Sequence, residues 1–259
     1  VLGVLKAESG SVRVFDLDPV AEPVAVLSRV GFLSEDRDLP GWMGVDELIR
    51  YTRAFHPEWD TKYEARLLEQ FQLDPAARIK HLSRGELTKA GLLVALAHRP
   101  ELLVLDEPSS GLDPLVRREI LEVIMRAVAK EGRTVFFSSH LLDEIERVAD
   151  SVAMMAGGGV VLQGRLDDIL DSHCRLTLRF STPQSGPPRI AGVLHISGGG
   201  LEWTVLCNGA RAELEAAVAN AGARVVSENP ASLDEIFLGR VGRESSTKSA
   251  TSGESEGSK

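Results

Sequence analysis

The sequence is short of three things, and each absence excludes a class of protein. It has two cysteines, Cys174 and Cys207, in 259 residues. That is too few for a disulfide framework and fits a reducing compartment. No apolar run approaches the ~20 residues of a membrane-spanning helix. Residues 1–10 lack the charged start and apolar core of a signal peptide. Any link to a membrane is therefore expected to come through a partner. Basic charge is also scarce: 29 Lys and Arg stand against 38 Asp and Glu, for a net charge of −9. A nucleic-acid binder usually carries a basic face, so that function is not expected. What remains is ordinary globular composition, 43% hydrophobic and 26% charged. The length suits one or two domains with cores that need no staples.

Three regions differ in pattern. Over 1–170, short apolar runs alternate with amphipathic stretches. The runs at 101–105 (ELLVL) and 134–138 (TVFFS) read as buried strands. Between them, Leu115, Ile120, Leu121, Ile124, Met125 and Val128 recur at helical spacing over 114–130, and Gly132 sits where a helix stops. Strand, helix, strand in that order predicts a parallel α/β sheet. Over 173–242 the pattern becomes a small α+β unit. Strands are expected at 175–180, 192–197, 201–206 and 223–227, a helix at 212–221 and a loop at 181–188. The tail, 243–259, is Ser, Gly, Glu, Lys and Thr with almost nothing apolar. It cannot bury enough surface to offset its ordering entropy, so disorder is expected.

The chemistry concentrates in four short runs. In LLVLDEP (102–108), four apolar residues suit a strand buried on both faces, and Asp106 and Glu107 follow at its C-terminal end. Open α/β sheets bind ligands at that edge. An Asp there can hold Mg²⁺, and a Glu beside it can take a proton from water. In LSRGE (82–86), Ser83 and Glu86 form the S-x-x-E capping pattern. A helix start is also an anion site, and Gly85 lets a phosphate come close to the backbone. In SSGLD (109–113), Gly111 gives a turn before Pro114 opens a helix. Finally, SSH (138–140) ends a strand and should set His140 on the same edge as the acids.

In order and spacing, these runs resemble the signature motif, Walker B, D-loop and H-loop of the ABC ATPases. The resemblance implies a parallel sheet like that of the P-loop NTPases, a helical subdomain, and ATP and Mg²⁺ as cofactors. It implies that Asp106 serves the metal, Glu107 is the general base and His140 contacts the γ-phosphate. Ser83, Arg84, Gly85 and Glu86 would bind ATP held by the opposite subunit of a homodimer or heterodimer, and Asp113 would lie at that interface. The run VGFLSE (30–35) resembles the strand leading to the Q-loop, with Glu35 where the family usually has Gln; it would serve nucleotide or metal. Arg84 and Glu86 also depart from the commoner Gly and Gln. The stretch 36–55 falls where family members meet an integral membrane subunit, although Met43, Val45 and Leu48 suit a local core equally. ASLDEIF (231–237) resembles the end of an accessory tail found in many bacterial members. The implied function is an ATPase subunit that powers a transporter from the cytoplasmic face of the membrane. The alternatives are a non-catalytic relic and a soluble ATPase of the same class.

The 259 residues contain no G-x-x-x-x-G-K-[ST] run. Residues 1–10 resemble the end of the helix that follows such a loop, so the expectation is a chain that starts just after it. The resemblance then implies that these residues alone bind ATP weakly and do not turn over. It also implies a fold left open where a central strand and helix belong.

Overall fold

A computed structural model describes residues 1–129, 132–209 and 211–251, with 243–251 described as backbone. The chain forms two compact units that divide after His140. The first contains α1 (Pro23–Leu27), β1 (Val30–Leu33), α2 (Val45–Arg53), α3 (Thr61–Phe71), α4 (Arg84–Leu96), β2 (Leu102–Asp106), α5 (Pro114–Ala129) and β3 (Thr134–Ser138). The second contains α6 (Leu142–Val148), β4 (Ser151–Ala156), β5 (Gly159–Arg165), α7 (Leu166–Asp171), β6 (His173–Gln184), β7 (Val193–Asn208), α8 (Arg211–Asn220), β8 (Ala223–Pro230) and α9 (Leu233–Thr251).

In the first unit β1, β2 and β3 form a parallel sheet in that order. The central strand is buried on both faces, as its apolar run requires: Leu103, Val104 and Leu105 are all buried. One face packs on α4, where Gly91 lets the Leu33 side chain approach; a Cβ there would lie 2.6 Å from Leu33 Cδ1. On the other face Val14, Val26, Val30 and Val104 cluster. That cover stops short of the C-terminal half. Phe32 and Phe136 lie in register with Val104 on either side, yet are 46% and 58% exposed. The expectation that β3 is buried therefore fails along the strand: Thr134, Phe136 and Ser138 are exposed, and Val135 and Phe137 are half-buried. Helices α2 and α3 stand apart from the sheet and pack on α4. Met43, Leu48 and Ile79 form a small core there, so Met43, Val45 and Leu48 are buried. Trp42 is 71% exposed beside them.

Helix α5 buries Ile120, Leu121, Val123, Ile124 and Ala127, whereas Leu115 and Met125, expected in its core face, are exposed. Lys130, the expected last residue of that helix, lies outside the described residues. Gly132 adopts φ +65° and its N–H bonds back to Val128, which ends the helix as expected. Residues 1–10, expected to end a helix, form bends and irregular chain.

In the second unit β7, β6 and β8 form an antiparallel sheet, with α8 closing a core around Leu178, Val205 and Cys207. The two strands expected at 192–197 and 201–206 lie in one extended run, β7, that folds back on itself: the Asn208 N–H donates to Gly192 O at 3.0 Å, and Gly198 lies against Glu202 and Trp203. Gly198, Gly199 and Gly200 stand at the reversal, with φ +129° at Gly198 and +61° at Gly200. Strand β6 runs to Gln184, into the expected loop. The expected boundary near residue 170 lies instead after His140. The reason is packing: Met154, Leu166 and Ile169 share a core with Leu206, Leu233 and Ile236. In the expected tail, 243–259, α9 continues through Thr251, and 252–259 lie outside the described residues.

Candidate active site

Parallel register carries three strand ends to one edge of the sheet. Asp106 and Ser138 are direct neighbours there. The Ser138 hydroxyl donates to Asp106 Oδ1 at 2.6 Å and accepts the Glu107 backbone N–H at 3.0 Å. Two residues past β3, His140 Nδ1 meets Glu107 Oε2 at 2.7 Å; the short contact assigns the proton to Nδ1. The His140 side chain is 62% exposed and that of Glu107 16%. The sequence thus placed Asp106, Glu107 and His140 on one edge, and they are bonded there. Ser138, which joins the two acids, was missed as an individual. Its signal was its position at the end of TVFFS.

The Glu107 backbone has φ +47°, the left-handed region that a non-glycine residue enters at a cost of about 1–3 kcal/mol. Its N–H is held by Ser138. Its carbonyl accepts the Ser110 N–H at 3.2 Å and is also held by Arg37, whose Nη2 donates to Glu107 O at 3.3 Å, Pro108 O at 3.4 Å and Ser110 O at 3.1 Å. Arg37 Nη1 donates to Glu35 O at 2.9 Å. Arg37 is only 4% exposed, and its buried Nε has no partner. Burial, and secondarily the nearby Arg84, lowers its pKa from the ordinary guanidinium range. The sequence reading missed Arg37, a lone cation in the run EDRD (35–38).

The expected anion site at α4 is first a cap. Ser83 Oγ accepts the Glu86 N–H at 3.3 Å, and Glu86 Oε2 accepts the Ser83 N–H at 2.8 Å and its hydroxyl at 2.7 Å. Those Ser83 hydrogen bonds, side chain first, hold the Glu86 carboxyl below its usual pKa. Gly85 lies against Val116 of α5; a Cβ would sit 3.2 Å from its Cγ1. The Arg84 guanidinium lies over Gly111, where a Cβ would come within 2.5 Å of Nη1. Asp113 caps α5, its Oδ1 accepting from Leu115 N–H at 3.0 Å and Val116 N–H at 3.1 Å. So Arg84 is brought against Gly111 and Gly85 against the start of α5, while Ser83 and Glu86 bond each other. Glu35 is not brought in: its side chain is exposed and makes no hydrogen bond to Asp106 or Glu107.

Among the described residues no cluster of three metal-ligating side chains occurs. Asp106 is nonetheless exposed, with one carboxylate oxygen engaged by Ser138. That donor set suits Mg²⁺, which commonly binds through one or two carboxylates together with substrate phosphates rather than a protein cage.

A parallel α/β sheet carries an acid pair and a histidine on its C-terminal edge, where open sheets of this kind bind ligands. A family profile described as "AAA domain, putative AbiEii toxin, Type IV TA system" matches residues 44–145. The chain is 22% identical to the ABC transporter ATP-binding protein YtrB of Bacillus subtilis over 92% of its own length and 82% of that protein. It is 28% identical to the Nod factor export ATP-binding protein I of Rhizobium etli over 94% of its length and 79% of that protein. A solved ATP-binding subunit of an ABC transporter superposes with TM-score 0.60 at 27% identity, covering 66% of this chain and 72% of that one. The chain is thus similar in sequence and fold to ABC transporter ATP-binding proteins. It spans about half the length of other curated relatives that are 30–38% identical.

Proposed function

We propose that the chain is the ATP-hydrolysing subunit of a transporter, with Glu107 as general base. The observation that carries this reading is the Glu107–His140 bond of 2.7 Å beside Asp106 on the ligand edge of the sheet. Asp106 would hold Mg²⁺, which would supply neutralisation of the phosphate charge. Glu107 uses one oxygen for His140 and keeps the other for the proton of an attacking water. His140, oriented by that bond, turns Nε2 to the γ-phosphate. Glu35, which neither bonds nor flanks the acids here, would reach metal or nucleotide only after its segment moves.

The start of α4 would receive phosphate from the opposite subunit of a dimer. Glu86 places a negative charge there, bonded to the Ser83 hydroxyl. Arg84, the one departure from the family pattern that adds positive charge, offsets it. Asp113, occupied as a cap, sets the α5 start at the same interface. The exposed aromatics Trp42, Tyr51 and Phe55 of the 36–55 stretch and α2 suit a membrane-embedded partner subunit, which would hold the chain at the cytoplasmic face. No helix among the described residues is long and apolar enough to cross a membrane.

The test is ATP turnover by the assembled ATPase with Glu107→Gln. Loss of a general base lowers turnover about 10²–10⁴-fold. Parental turnover by that variant would remove Glu107 from the role. One observation favours a second reading, a non-catalytic relic: the 259 residues hold no G-x-x-x-x-G-K-[ST] run to grip the β- and γ-phosphates. On the enzymatic reading that grip comes from residues other than these, and the 259 residues alone bind Mg-ATP weakly and do not turn over. Titrating them with Mg-ATP settles this point, and micromolar affinity would contradict it.

A further inference from the structure

We infer that Arg37 is the positioning residue of Glu107, tying its backbone to the segment at Glu35. The inference rests on Glu107 being the general base. Four groups grip Glu107, one of them the Ser110 N–H of the same turn, which donates to Glu107 O at 3.2 Å. Of the others, His140 holds the carboxylate, Ser138 holds the backbone N–H, and Arg37 also holds the carbonyl. His140 and Ser138 come from the end of β3 and the residues after it. Arg37 comes from the loop after β1, so it alone joins a second segment to the base. Its guanidinium spans the gap: Nη1 donates to Glu35 O at 2.9 Å, and Nη2 to the carbonyls of Glu107, Pro108 and Ser110.

The chemistry is specific to a guanidinium. Backbone carbonyls of two segments converge on one side chain, and only a forked donor with fixed geometry serves them together. The cation is buried without a carboxylate bonded to it, and its Nε finds no acceptor. Carbonyl dipoles, helped at longer range by the Glu35 carboxylate, compensate a nearly buried charge. An arrangement so unfavourable for stability is what a positioning role demands. Two residues in the left-handed region face each other across it, Arg37 itself at φ +53° and Glu107 at φ +47°. Neither backbone would keep that conformation unassisted. Because the same guanidinium bonds Glu35 O, displacement of the 35–37 segment moves the carbonyl of the base. The end of β1 and the acid pair then respond as one unit.

Two measurements test this. In the first, deuterium exchange is followed in the chain itself for parent, Arg37→Gln, Arg37→Lys and the fold control Arg29→Gln, which removes an exposed ion pair to Glu101. The peptide covering 107–112 is expected to exchange about tenfold faster in Arg37→Gln, with Arg37→Lys intermediate and Arg29→Gln at the parental rate. Unchanged exchange there, or an equal rise in every peptide, overturns the inference. In the second, the assembled ATPase is assayed. Arg37→Gln is expected to lower kcat about 10- to 100-fold while KM for ATP stays within about twofold, and Arg37→Lys to recover part of the loss. Parental kcat in a folded Arg37→Gln overturns the inference. Parental turnover in Glu107→Gln overturns the assignment of the base instead, and the exchange measurement still decides whether Arg37 holds that backbone.

Discussion

His98 shows how far a single residue's behaviour depends on its surroundings. It is 7% exposed, at the end of the α4 region, and stacks on His56 with ring centroids 3.8 Å apart. Its two ring nitrogens face the carbonyls of Val94 and Val30. Burial, and then the charge of His56, lowers its pKa to about 4. In the unfolded chain the same imidazole titrates near 6.5. Between those values the unfolded state binds more protons. The neutral buried ring therefore contributes stability that is complete above pH ~6.5 and is lost as the pH falls toward 4. The loss is on the order of 3 kcal/mol. Urea midpoints at pH 7 and pH 4.5 should differ by more in the parent than in His98→Gln. Equal differences in the two proteins would show that His98 carries none of the acid sensitivity. From sequence, His98 is an unremarked residue two positions before a proline. The motif reading caught His140 because a strand end fixes where it must lie; nothing local marks His98 as buried.

At the level of the elements, the local rules written in the sequence operate as physical chemistry requires. The S-x-x-E pattern makes a reciprocal cap at α4, and Pro114 opens α5 behind the Asp113 cap. Ser83→Ala removes an acceptor for one helix N–H and the hydroxyl bonded to Glu86. It should cost about 1 kcal/mol of stability, read as a lower urea midpoint with an unchanged slope. A variant with the parental midpoint would mean the cap is redundant. The same prediction separates two roles: a cap loss lowers stability, whereas a lost phosphate contact lowers nucleotide affinity. Strand β2 was legible because an apolar run of that length has few other homes. Strand β3 was legible as a strand but not in its exposure. Phe136 is apolar whether or not anything covers it, and cover is set by what other segments bring. The two halves of β7 were legible as separate strands because the glycines between them supply the turn that folds one onto the other.

On the scale of the whole chain, the division after His140 is the main finding that patterning did not anticipate. Residues 141–171 carry apolar side chains that would suit either neighbour. Leu206, Leu233 and Ile236 supply the surface they pack on, and those residues lie more than 30 positions further along. The second unit therefore owns a complete core. A fragment of residues 141–251 should fold alone and melt cooperatively with mixed helix and sheet signal. Absence of a cooperative transition would show that its core is insufficient.

The sequence by itself determined the family resemblance, the strand carrying the acid pair, the caps and the edge on which His140 meets Glu107. These follow from short-range rules: apolar run length, capping chemistry, and the geometry that puts parallel strand ends together. Tertiary structure alone decided that Ser138 bridges the acids, that Arg37 closes on the carbonyls beyond them, and that Glu35 stays outside. It also decided where one unit ends and the next begins. Those outcomes depend on pairings between segments far apart in the chain, which no local pattern encodes.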